Sequence, residues 1–206
     1  MANLIESGGP VMYILLFCSV ISLAVIIERM AFWMSARTRM DSAEADTVIA
    51  LCASGDWEAA EAAAAASKSP VVAVLASGIQ YRDLSFSKAM AVTAAEAVGR
   101  MRRFMGVMDT IITAAPLIGI LGTVIGIILS FEALGQAGIG RPQAITAGIA
   151  QALITTAAGL VIAIFTVFPF NYFNTRIERS MDAIECHATR LELVLEKVPG
   201  PSGGQP

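Results

Sequence analysis

The sequence predicts an all-α membrane protein, with three transmembrane helices and a helical domain outside the bilayer. Three observations carry that prediction. Hydrophobic residues make up 56% of the 206 residues and charged ones 15%, with a mean hydropathy of +0.68, too apolar for an ordinary soluble domain. Three stretches carry no charged residue for the ~20 residues that a helix needs to cross a bilayer: Ser7 to Ile27, Thr110 to Phe131 and Pro142 to Thr175. Basic residues gather at one end of each stretch.

The first span is placed at residues 10–34, after a short N-terminus of residues 1–9. A cleaved signal peptide has its positive charges ahead of the apolar run. Here the first nine residues hold Glu6 and no Lys or Arg, and Arg29, Arg37 and Arg39 follow. A retained helix with its N-terminus outside is expected. Arg100, Arg102 and Arg103 precede the second span, placed at 105–134, and Arg176 and Arg179 follow the third, placed at 145–174. The connection at 135–144 has only Arg141. The excess of Arg at one set of ends gives a single topology, N-terminus periplasmic and C-terminus cytoplasmic.

Residues 35–104 form the cytoplasmic domain of this topology. "DSAEADTVIALCASGDWEAAEAAAAASKSP" reads as two short helices split at Ser54-Gly55-Asp56. "PVVAVLASGIQYRDL" reads as a third, with Val71, Val74, Leu75 and Ile79 at helical spacing. "SFSKAMAVTAAEAVGRMRRFMGVMDTIITA" then runs without a breaker to Pro116, so one long helix is expected to enter the membrane. Ser85 with Lys88 gives only a partial capping box. Residues 175–206 continue the third span as a charged amphipathic helix and end in "PGPSGGQP", of disordered composition.

Catalytic chemistry finds no foothold. Cys18, Cys52 and Cys186 show no pairing or metal spacing. His187 is the only histidine and has no obvious ligand partner. There is no phosphate-cradling glycine loop and no nucleophile elbow. A formal charge of -3 gives no reason to expect nucleic acid. No enzyme activity, metal or cofactor is expected.

The second and third spans each carry a stripe of small and hydroxylated residues. On a helix Gly119, Thr123, Gly126 and Ser130 share one face, with Gly122 beside it. In the third span Gly148, Ala152, Thr156, Gly159 and Ala163 form a stripe, with Thr155 beside it. Such stripes have two readings. Small residues let membrane helices pack closely, and a Thr hydroxyl bonds its own helix backbone. Alternatively the stripes line a polar lumen or clasp another subunit's helix. Span two holds no acid, base or long polar side chain, which suits a wall around a group supplied by another chain.

"TIITAAPLIGILGTVIGIILSFEAL" (Thr110 to Leu134) followed by "ITAGIAQALITTAAGLVIAI" (Ile145 to Ile164) resembles the MotA/TolQ/ExbB proton-channel family. The front, "GGPVMYILLFCSVISLAVIIERM", resembles that family's first span, and three spans point to its ExbB/TolQ branch. The resemblance implies a homo-oligomeric, pentameric ring in the bacterial inner membrane, surrounded by membrane lipids. It implies an ExbD- or TolR-like single-span partner inside the ring, whose Asp takes up and releases the proton. A TonB- or TolA-like protein would pass the motion to the outer membrane or cell wall, as in TonB-dependent transport, envelope constriction or gliding. The alternative function is a scaffold that assembles a partner but conducts no protons.

By the same resemblance Thr123 and Thr156 match pore-facing threonines, and Thr155 and Gln151 join the expected proton path. Gly119, Gly126, Ser130, Ala152 and Gly159 are then expected to face the lumen. The subunit seam is expected at larger residues such as Ile120, Leu121 and Ile128. Two departures stand out. Gln151 replaces a Glu found in many relatives, and the proline of span three comes late, at Pro169.

Overall fold

The computed structural model describes residues 9–36, 42–137 and 142–197. Every element among them is a helix. In chain order these are α1 (Pro10–Ala36), α2 (Ser42–Ala53), α3 (Trp57–Ala66), α4 (Pro70–Gln80), α5 (Phe86–Met101), α6 (Met105–Ala137) and α7 (Pro142–Lys197). Three of them, α1, α6 and α7, are long and apolar enough to cross a membrane. The all-helical membrane fold expected from the sequence is therefore the one observed. The tail after Lys197 and the centre of the connection between α6 and α7 lie outside the described residues.

α7 has 56 residues. At 1.5 Å per residue it is about 84 Å long, nearly three times the ~30 Å of a hydrocarbon core. The tail is thus one uninterrupted helix with the third span, and Pro169 lies inside it. Pro116 likewise lies inside α6. A proline in a helix interior removes one backbone donor, and in a membrane neighbouring helices compensate for that loss.

The chain divides into two compact units. The first holds the described residues of Met1–Arg29 with Phe104–Phe173. Its core includes Leu15 of α1 buried against Ile111 and Ala115 of α6, with Met12, Cys18, Ile21, Ile118, Ala158 and Ile162 packed around them. α1 is tied to α7 by a buried hydrogen bond between the Ser22 and Thr166 hydroxyls, 2.7 Å long. The lipid-exposed flank of α1 is apolar, with Tyr13, Phe17, Val20, Leu23 and Ile27 all more than half exposed. That is the pattern of a helix whose solvent is hydrocarbon.

The second unit holds the described residues of Met30–Arg103 with Asn174–Pro206. α2 and α3 are split where expected. Gly55 takes a left-handed φ of +80°, which glycine adopts at no steric cost, and Asp56 caps α3 by accepting from the Ala59 amide at 3.1 Å. α4 stops at Gln80, four residues before the sequence suggests, because Tyr81–Leu84 closes into a turn with Leu84 N donating to Tyr81 O. On α7, Ile177, Ser180, Ile184, His187 and Leu191 are all buried. Their alternating spacing of three and four is a coiled-coil-type seam. Arg190 of α7 reaches Asp46 of α2 at 2.5 Å, and Arg82 lies over the Trp57 ring at 5.2 Å while pairing with Glu61.

One expectation is corrected. The run from Ser85 to Pro116 is not one helix. α5 ends at Met101 and α6 starts at Met105, and Phe104 between them has φ +64°. No glycine or proline marks that break, so the residues themselves gave no warning.

Candidate functional site

The candidate site belongs to the first unit, where α6 and α7 meet. The two helices approach so closely because their facing positions lack side chains. A Cβ built on Gly119 would stand 3.0 Å from the Thr155 carbonyl oxygen and 3.1 Å from the Thr156 Cα. On Gly126 it would stand 3.0 Å from the Ala152 Cβ and 3.0 Å from the Gly148 carbonyl oxygen. Gly159 lies against the Ala115 carbonyl and the Gly119 Cα in the same way. Close backbone approach across small residues is the usual basis of helix association in lipid, where no hydrophobic drive is left between helices.

Within one chain Gly119, Gly126, Ser130, Ala152 and Gly159 are all buried where α6 meets α7, the placement that the packing reading describes; Ser130 and Ala152 also floor the groove beside Thr123. The Ser130 hydroxyl donates to the Gly126 carbonyl at 2.7 Å, and Ser130 is 4% exposed. Thr155 is buried in the same way. It is 1% exposed, its hydroxyl donates to the Ala152 carbonyl at 2.8 Å, and it fills the space that a side chain on Gly122 would need.

Gln151 faces elsewhere. Its amide occupies the place of a Cβ on Gly9 at the start of α1, and Gly9 has φ +67°. About two and three turns along α7 stand Ala158 and Ile162 of the core that holds Leu15. Gln151 thus meets the start of α1.

Thr156 and Thr123 remain. The Thr156 hydroxyl crosses between helices and donates to the Gly119 carbonyl at 2.9 Å. Thr123 stands one turn along α6 from Gly119, and its hydroxyl donates to the Ile120 carbonyl at 2.6 Å. Both are half-buried. Thr123 opens into an apolar groove of about 250 Å³ formed with Ile127, Phe131, Ile149 and Leu153, floored by Ser130 and Ala152. The exposed lining of the groove is apolar throughout, because the Thr123 hydroxyl turns to its own backbone. Ile120, Leu121 and Ile128 are about half exposed on the outer surface of α6.

Among the described residues no group of His, Cys, Asp and Glu is placed to hold a metal ion. His187 packs in the α7 seam of the second unit, its Nδ1 3.7 Å from Asp46 Oδ1 and 3.4 Å from Arg190 Nη1.

Comparison with known proteins decides the family. The profile of the MotA/TolQ/ExbB proton channel family matches residues 66–186. This chain belongs to that family. A protein of Synechocystis sp. designated ExbB-like 1 is 35% identical over 197 residues, covering 93% of this chain and 77% of the relative. ExbB-like 3 of the same organism is 30% identical over 196 residues, covering 93% of each chain. The biopolymer transport protein ExbB of Aquifex aeolicus is 36% identical over 75 residues, 36% of this chain and 51% of that one. The likeness runs nearly end to end in the first two and places the chain in the ExbB/TolQ branch. It is a multi-pass membrane protein of a proton-channel family.

Two features escaped the sequence reading. The Ser22–Thr166 bond joins residues 144 positions apart, and nothing local signals such a pair beyond the scarcity of hydroxyls in apolar spans. Arg29 is 1% exposed, although it reads as an ordinary basic flank.

Proposed function

We propose that this chain is the ring-forming proton-channel subunit of an ExbB/TolQ-type energy transducer. Copies of it, five by family resemblance, would enclose the membrane helix of an ExbD- or TolR-like single-span partner. The partner's carboxylate would take up and release the proton, and Thr123 and Thr156 would form the hydroxylated wall it passes. The observation that carries the reading is the match to the proton-channel family over residues 66–186, with Thr123 half-buried within the matched part of α6.

The physical logic is electrostatic. An unpaired carboxylate in hydrocarbon costs at least ~2.5 kcal/mol on insertion scales. Protonation removes that cost. A hydroxyl wall solvates either form, whereas an Arg or Lys would pair with the carboxylate and hold it. α6 and α7 present no charge along the α6–α7 contact, and a symmetric ring repeats the same station around the partner. The glycine contacts set the two hydroxyls without entering the path themselves. The topology proposed is N-terminus periplasmic and C-terminus cytoplasmic in the inner membrane. The work driven would be at the outer membrane or cell wall, such as TonB-dependent transport.

The test is co-expression with a single-span protein that carries a membrane Asp and is encoded beside this chain. Native mass spectrometry should give a closed ring with that protein retained, and vesicles holding both should admit protons under an imposed potential. Rings that retain the partner but pass no protons would instead indicate a non-conducting scaffold.

A further inference from the structure

The break at Phe104 is not made by a proline or a left-handed glycine. Residues Arg100 to Met108 include no proline, and the nearest glycine, Gly106, takes no left-handed φ and sits inside α6 with open space where a Cβ would be. The left-handed conformation falls on the aromatic residue, φ +64°, where an L side chain crowds the backbone. Phe104 nonetheless starts α6 in the manner of a cap. Its carbonyl accepts from Val107 N at 3.1 Å and from Met108 N at 3.3 Å, while the Arg102 amide closes α5 on Val98 O.

Arg29, at the end of the apolar run of α1, is 1% exposed, an unusual state for a guanidinium. Its Cζ lies 5.9 Å from the centre of the Phe104 ring, within cation–π range. Glu28 fixes the fork from the other side, with Oε2 2.5 Å from Nε and Oε1 2.6 Å from Nη2. A buried charge persists where its partners are geometrically good. Here the Glu28 carboxylate orients the guanidinium, and the guanidinium covers the ring.

We infer that Arg29 is a positioning residue: it pins Phe104 in the left-handed conformation from which α6, the second span, starts, with the Glu28 carboxylate holding the guanidinium over the ring.

The test uses the full chain with its co-expressed partner and four variants: R29A, F104A, F104G and R29A/F104G. The readout is hydrogen exchange at the Val107 and Met108 amides. R29A and F104A are expected to speed exchange by roughly tenfold, the factor matching the left-handed penalty of an L residue. F104G should stay near wild type, because glycine takes this φ without crowding. R29A/F104G should return to the F104G level, a rescue that mere loss of packing around Arg29 would not allow. A double variant as fast as R29A, or F104A no different from F104G, would overturn the pinning. The second comparison leaves Arg29 intact and so survives a failure of R29A to fold.

Discussion

Thr156 and Thr123 are both threonines on apolar helices, yet they do different jobs. Thr156 spends its donor on the Gly119 carbonyl of the other helix, so it holds two spans together as well as facing the proposed path. Thr156→Val is therefore expected to destabilise the helix pair by about 1 kcal/mol, the scale of interhelical hydrogen bonds in membranes. Thr156→Ser keeps the hydroxyl and should retain both stability and flux; thermal unfolding in detergent separates the two effects. The sequence brought Thr123, Thr156, Thr155 and Gln151 forward together, because each is a polar side chain in an apolar run. It did not separate them, because helical direction is not written in residue type. Ala158, Ile162 and Leu15 turn Gln151 toward α1, and Gly122 receives Thr155.

The cysteines give a second prediction at the same scale. Cys52 is fully buried in the second unit and burial pushes its thiol up to about 11, opposed by the Arg82 charge. Cys186 is exposed. The thiolate is the reactive form. Alkylation at neutral pH should modify Cys186 in the folded protein and leave Cys52 untouched until denaturant is added. Because the folded pKa of Cys52 is raised, the unfolded chain ionises first as pH rises. Cys52 therefore favours the folded state fully below the ordinary thiol value of 9.0 and loses that contribution between there and about 11. Mass spectrometry after a brief pulse of iodoacetamide reads the first point, and rapid modification of Cys52 in the native protein would contradict it.

At the scale of the element, the small stripe was legible as a stripe and its partner was not. Gly119, Gly126 and Gly159 satisfy a packing seam and a lumen wall equally well by spacing alone. Only the facing backbone, at 3.0 Å from a Cβ on Gly119 or Gly126, separates the two readings. The consequence is a changed expectation for bulky substitutions. Gly119→Leu or Gly126→Leu should force α6 and α7 apart and destabilise each subunit, by the 1–3 kcal/mol typical of overpacking, roughly, or more. Loss of ring and partner together, seen by native mass spectrometry, is the expected result. Intact rings that lack only the partner would place those glycines on the lumen after all. The break at Phe104 was the least legible element boundary. Its cause lies in Arg29, 75 residues earlier, and long-range stacking leaves no local composition signal. α7 was the most legible, since its apolar run passes directly into a charged amphipathic stretch, and Pro169 inside it does not end the helix.

At the scale of the whole molecule, charge distribution orients the spans. Arg29, Arg100, Arg102, Arg103, Arg176 and Arg179 flank one set of ends, which the positive-inside rule assigns to the cytoplasm. In a cysteine-free background, Gly135→Cys should react with an impermeant maleimide added outside intact cells, and Ser54→Cys should react only after lysis. Equal labelling of both would reverse or abolish the proposed topology.

Proton flux through assembled complexes is the measurement that bears most directly on the function. The chain and its single-span partner are purified together as wild type, Thr123→Ser and Thr123→Val, shown to hold the same ring, and sealed into vesicles with a pH-sensitive dye. Thr123→Val nearly keeps shape and removes only the hydroxyl of a residue on the open groove. Flux under an imposed potential should persist in wild type and Thr123→Ser and fall by about tenfold or more in Thr123→Val, the effect of ~1.4 kcal/mol on a barrier. Undiminished flux in Thr123→Val would mean that the hydroxyl belongs to packing and that protons take another route.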